Sequence, residues 1–209
     1  MKQHFYIPLL IAVLFSAAVS SVSAQDNVWE RQPEKSQASS DARYLKGAVP
    51  EENGKVTFTA TIPFGTLSKQ EVYGRLLQFM TRLTKEEGQF EQSRITLADS
   101  ATHSQIVGSY QEWLVFKNKP LNLDRTRLLY HLIADLGSDA VTLKMTRIVY
   151  LYDEEREPTT YRAEEWINDR YGLNRTQTKL ARVSGKFRRK TIDRKDYLFN
   201  AIEKVIAGQ

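Results

Sequence analysis

The sequence predicts an α+β fold: an antiparallel sheet of about five strands in the order β-α-β-β-β-β, with helices packed on it and a helical C-terminal extension. Three observations predict it. Residues 55–62 alternate apolar and polar side chains, and residues 68–83 carry an apolar stripe at helical spacing behind a capping signal. Residues 94–152 read as successive strands, the last two pairing in register. Strands gathered in a run, rather than alternating with helices, favour antiparallel pairing.

The 209-residue chain opens on Met1-Lys2-Gln3-His4-Phe5, a short start with one firm positive charge. An apolar run from Tyr6 to about Val19 follows, then Ser20-Ser21-Val22-Ser23-Ala24. Small residues at Val22 and Ala24 suit a signal peptidase, so cleavage is expected after Ala24. The apolar run is shorter than the roughly 20 residues of a membrane span, which favours a cleaved leader over an anchor. The expected localisation is therefore export, to the periplasm or the cell envelope, with no transmembrane segment after cleavage. Cys is absent from the sequence. That excludes disulfides, thiolate chemistry and lipid attachment at the cut. About 185 residues remain after cleavage, enough for one ordinary core. The net charge of +5 is too small in total to argue for nucleic acid.

Residues 25–43 are polar and aperiodic and read as a linker; an α+β domain is expected over 44–153 and a charged helical extension packing on it over 154–209. Asn53-Gly54 supplies the positive φ values of a tight turn. Val56, Phe58, Ala60 and Ile62 fall on one face of the next strand, and Pro63 and Gly65 end it. Ser68 and Glu71 form a capping box, and Val72, Leu76, Phe79, Met80 and Leu83 follow on one helical face. Gly88 is the expected stop. Strands are expected over 94–98, 105–117 (with Gly108 interrupting), 123–136 and 141–152. Pairing Leu136 with Val141 sets Ala134 against Leu143, Leu132 against Met145 and Leu128 against Val149, leaving one face almost wholly apolar. The same register sets Arg125 against Tyr152, Arg127 against Tyr150, Leu129 against Ile148 and His131 against Thr146. A short helix is expected over 163–171. A second, starting near Thr191 or Asp193, carries Leu198, Phe199, Ile202, Val205 and Ile206. The expected core includes Phe58, Ile62, Leu76, Phe79, Met80, Leu128, Leu132, Leu143, Met145 and Val149.

Four runs carry a family resemblance: Tyr44-Leu45-Lys46-Gly47-Ala48-Val49, residues 108–116 (GSYQEWLVF), Met145-Thr146-Arg147-Ile148-Val149-Tyr150, and residues 186–195 (KFRRKTIDRK). With them the chain resembles an exported Bacteroidetes family of unknown function with a fold like half of the TATA-binding protein (TBP-like). The resemblance spans most of 44–206 and implies fold and compartment; it brings no catalytic residues. The TATA-binding protein grips DNA with two copies of this unit and this chain holds one, so fold alone transfers no function.

Few residues are candidates for chemistry. His103 sits in a turn beside Asp99 without a second histidine at ligand spacing, and His131 alternates with Leu129 and Ile133 on a strand; neither argues for a metal. No Gly-x-Ser-x-Gly elbow, phosphate loop or dinucleotide fingerprint is present. No cofactor is expected. Glu154 and Glu164 offer paired carboxylates for hydrolysis of an envelope polymer, but interleaved Arg156, Arg162 and Arg170 suit an exposed, charge-compensated helix start. Residues 175–195 hold Arg175, Lys179, Arg182, Lys186, Arg188, Arg189, Lys190, Arg194 and Lys195 against Asp193 alone. Such a run is either a solvated face or a contact for anionic lipid or polymer. The expected function is an exported envelope binding or interaction module without catalysis, its partner an envelope protein or an anionic polymer. The alternatives are a hydrolase and, third, a nucleic-acid binder, which the compartment disfavours. The candidate partner-binding residues are Arg125, Arg127, Tyr150, Tyr152, Lys186, Arg188, Arg189 and Lys190. The sheet face turned away from the first helix is expected to be partly covered by residues 163–206, with Arg127 stacked over Tyr150.

Overall fold

The computed structural model describes residues 41–119 and 122–208. The expected leader and nearly all of the expected linker lie outside them. Residues 41–43 are not linker: Asp41–Tyr44 forms a 3-10 turn tied to the C-terminal helix, where the Tyr44 hydroxyl donates to Asp193 at 2.7 Å and Arg43 pairs with the same carboxylate.

Strands β1 (Glu51–Glu52) and β2 (Lys55–Pro63) form a hairpin through Asn53 and Gly54. Their φ values of 51° and 72° are those of a type I′ turn, whose twist matches the strands. Helix α1 (Lys69–Leu83) begins at the expected capping box: Ser68 Oγ accepts from the Glu71 amide at 3.2 Å and the Glu71 carboxylate accepts from the Ser68 amide at 2.9 Å. It stops at Leu83, five residues before Gly88. Thr84 closes it by donating its hydroxyl to Thr81 O. Then come β3 (Arg94–Ala98), β4 (Gln105–Lys119), β5 (Asn122–Leu136), β6 (Ala140–Tyr152) and β7 (Thr159–Arg162). One helical turn, α2 (Ala163–Trp166), precedes the long helix α3 (Gly185–Ala207).

Among the described residues the sheet has seven strands rather than five. Its order is β1-β2-β6-β5-β4-β3, every pair is antiparallel, and β7 joins β6 along the stretch that β2 leaves uncovered. Alternation sorts most of its side chains. Ile106, Tyr110, Glu112 and Leu114 of β4, and Leu128, Tyr130, Leu132 and Ala134 of β5, are buried beneath the helices. Gly108 permits one tight contact there. The Tyr110 ring lies where a Cβ at 108 would sit, 2.4 Å away, and its hydroxyl donates to Met80 O of α1 at 2.9 Å.

The hairpin register holds from Leu136/Val141 to His131/Thr146 and then slips by one residue. A bulge at Arg147, with φ 54°, inserts an extra residue into β6. Beyond it Leu129 faces Val149, Leu128 faces Tyr150, Arg127 faces Leu151 and Thr126 faces Tyr152, replacing the expected pairs. The slip turns Ile148 and Tyr150 inward and Val149 outward. Val149 is thus only half-buried, as is Ile62 near the end of β2, while the rest of the expected core is buried.

Helix α3 starts at Gly185, well before the expected Thr191. Its inward stripe is Phe187, Arg188, Thr191, Arg194, Leu198 and Ile202, so two arginines and a threonine occupy core positions. Gly208, at φ 76°, ends it in the left-handed conformation. α3 does not cover the face opposite α1. It lies beside α1 on the same face: Tyr150 and Thr191 share a hydroxyl hydrogen bond at 2.7 Å, and Arg75 of α1 donates to Ile206 O at 2.8 Å. Each helix buries its stripe against the sheet and the other helix, and among the described residues no helix covers the opposite face of the sheet.

Candidate functional site

Two parts of the molecule gather chemistry: the open face of the sheet, and the basic run 175–195. On the open face, β4, β5 and β6 present Val107, Trp113, Leu129, Ile133, Val149 and Leu151, all half-buried, among polar neighbours. Arg125 and Arg127 rise from β5 at its end near the β6–β7 connection. The Arg125 guanidinium lies 3.7 Å over the Trp113 ring and pairs with Glu155 at 3.6 Å. Arg127 lies 4.0 Å over Phe90 and grips Glu154 with two hydrogen bonds of 3.0 and 2.7 Å. The expected stacking of Arg127 on Tyr150 does not form, because the bulge turns Tyr150 to the other face. Lys144 reaches Asp135 at 3.5 Å on the same face. Trp113, Arg125, Tyr152, Glu154 and Arg156 line part of a groove of about 660 Å³ at this end.

His131 is also on the open face, half-buried, rather than packed under a covering segment. Burial, and secondarily the Arg147 cation, push its pKa below the ordinary value, which leaves it neutral at pH 7. His103, with φ 51°, sets its ring edge-on to Tyr73 at 4.9 Å. Among the described residues no three of His, Asp or Glu gather as a metal site. The two carboxylates considered for hydrolysis are engaged separately, Glu154 by Arg127 and Glu164 by Lys55.

The basic run divides. Its α3 half is absorbed into the fold. Arg188 is fully buried and donates to Tyr44 O, Leu45 O and Ile167 O at 2.6 to 2.7 Å, and to Asp169 at 2.7 Å. It ties the start of the domain to the segment before α3. Arg194, also fully buried, holds Glu112 through two hydrogen bonds of 2.7 and 2.6 Å. Lys186 donates to Asp124 at 2.7 Å beside Tyr152, whose hydroxyl also donates to Asp124. Arg189 pairs with Asp41 at 2.7 Å, and Lys190 is half-buried. Of the eight candidate residues, Tyr150 and Arg188 are therefore out of reach of any partner. Lys186, Arg189 and Tyr152 serve internal contacts, and Arg125 and Arg127 stand on the open face. Sequence reasoning missed Trp113 and Phe90 as their platforms. The available signal was phase: Trp113 sits opposite in alternation to the buried Tyr110, Glu112 and Leu114.

Residues 58–151 match the family described as a domain of unknown function (DUF4468) with TBP-like fold. The crystal structure of a DUF4468 family protein from Bacteroides ovatus ATCC 8483 is 36% identical, covers 80% of this chain and 95% of its own, and superposes with a TM-score of 0.73. A TBP-like protein from Parabacteroides distasonis ATCC 8503, 17% identical, shares the fold over 76% of this chain and 97% of its own with a TM-score of 0.59. No curated protein matches the sequence.

Proposed function

The chain belongs to the DUF4468 family, and for this member we propose an exported, non-catalytic interaction module of the cell envelope that docks a partner protein on the open face of its sheet. The observation that carries this reading is the placement of both long helices on one face, so that among the described residues nothing covers the other, although it is half apolar. Three of its cations are already paired, Arg127 with Glu154, Arg125 with Glu155 and Lys144 with Asp135. A polyanion gains little from cations that carry their own carboxylates. A protein surface of mixed apolar and polar character gains from burying Trp113, Leu129 and Leu151 and from exchanging hydrogen bonds at the rim.

Export rests on the tripartite start of the sequence, and no helix among the described residues is long and apolar enough to cross a membrane. Mass spectrometry of the protein from its host is expected to find Gln25 at the N-terminus. The intact chain in the cytosol would overturn export. For the docking face, chemical crosslinking in envelope fractions is expected to yield one defined adduct with the wild-type protein. Arg125→Ala combined with Leu129→Lys should abolish it at unchanged thermal stability. An adduct that survives both substitutions would place the partner elsewhere.

A further inference from the structure

We propose that the segment 170–183 is a membrane-surface finger that binds anionic lipid headgroups, a second interaction surface separate from the open sheet face. It carries Arg170, Arg175, Lys179 and Arg182, and no Asp or Glu occurs between residues 170 and 184. All four cations are exposed. No ion pair engages any of them among the described residues, Arg170 lying over its neighbour Tyr171 instead. In this they differ from the cations of α3, nearly all of which have partners within the fold. The nearest acid in sequence, Asp169, is committed to Arg188 and to the Gly47 amide, each at 2.7 Å.

The finger also exposes apolar side chains. Among the described residues only four large hydrophobics are exposed, and two are here, Tyr171 at 44% and Val183 at 58%. Cations beside an exposed aromatic and an aliphatic side chain match a lipid interface, where phosphates meet the Arg and Lys heads and the ring settles at headgroup depth. A soluble polyanion would use the cations but leave Tyr171 and Val183 in water.

The segment is built to hold this shape. Leu173 pairs across it with Leu180, and the Ala181 amide donates to Gly172 O at 3.0 Å. At the tip, Asn174 Oδ1 accepts from the amides of Thr178 and Lys179 at 2.9 and 3.0 Å. At the base, Ser184 donates to Tyr171 O at 2.5 Å, and a Cβ on Gly172 would meet Ile167 O at 2.6 Å and the Arg188 side chain at 2.8 Å. The charges are therefore presented by an ordered loop fastened to α3, and little conformational entropy remains to be lost on binding.

The test is co-sedimentation of the protein, in the form its host processes it to, with vesicles of phosphatidylcholine with and without phosphatidylglycerol. Binding is expected to the anionic vesicles alone and to weaken with salt. Each cation at such a surface contributes roughly fivefold in partitioning, so Arg175→Gln/Lys179→Gln/Arg182→Gln should weaken binding about a hundredfold. Tyr171→Ser/Val183→Ser should weaken it at every salt concentration. All five side chains are exposed, and unchanged thermal unfolding is the check that the variants fold. Equal binding to both vesicle types, wild-type binding by the triple variant, or binding of soluble polyphosphate without binding of vesicles would each overturn the proposal. Arg125→Ala, on the open face, should leave vesicle binding unchanged, so failure here and failure of the docking-face reading are separable.

Discussion

Glu112→Leu is expected to destabilise the protein by about 3–5 kcal/mol, the usual cost of stranding one member of a buried ion pair. Arg194 is fully buried and Glu112 is 4% exposed. Burial by itself would lower the arginine's pKa; the Glu112 carboxylate, helped by Glu86, more than reverses this. Removing the carboxylate leaves a buried cation beside Tyr130 and Tyr197, with Glu86 at 3.8 Å as the remaining acid. The double variant Glu112→Leu/Arg194→Met should recover most of the loss, since well-packed apolar replacements of buried pairs are often neutral or better. Urea unfolding of the two single variants and the double variant measures this. A single-variant loss below about 1 kcal/mol, the range of surface pairs, would mean that water reaches the pair.

Ending the chain at residue 160 is expected to abolish cooperative folding. α3 places Phe187, Ile192, Leu198, Phe199, Ile202 and Ile206 in the core. At roughly 1.5–3 kcal/mol for each buried side chain, their loss removes about 10 kcal/mol or more, comparable with the whole stability of an ordinary domain. The truncation also uncovers Tyr150, Leu128 and Leu114, strands Glu112, and releases the 41–45 segment that Arg188 holds. Calorimetry should show no unfolding transition, and the truncated chain should aggregate. A stable monomer with a sharp transition would mean that α3 is an accessory and that the sheet and α1 fold alone. The result also separates two roles for this helix: it closes the core beside α1 and leaves the far face of the sheet as it was.

Local rules made α1 and the strands legible. The Ser68–Glu71 box and the Asn53-Gly54 turn each depend on neighbours a few residues apart and are found as the sequence pattern implies, and the alternation of 55–62 holds except at the buried Thr57. The short edge strands β1 and β7 were not legible, because two and four residues offer too little periodicity to read. The hairpin register was right for the half near the Gly137–Asp139 turn and wrong beyond it. A bulge at Arg147 needs only one residue in a left-handed conformation, and nothing in the letter Arg announces it. Alternation placed Arg125 and Arg127 on the sheet face away from α1, where they lie, while the basic run read as one surface.

By itself, then, the sequence determined the antiparallel α+β architecture and most of the core, since alternation, capping and helical spacing are properties of contiguous residues. It also set the absence of thiol chemistry, because no Cys is encoded. Tertiary structure alone decided which face α3 covers and which cations are free. Arg188 and Arg194 look like solvent-facing charges until Glu112, Asp169 and the carbonyls of Tyr44, Leu45 and Ile167 converge on them from segments up to 144 residues away. A charge is buried or exposed according to the partners that folding brings to it, and those partners are distant in sequence.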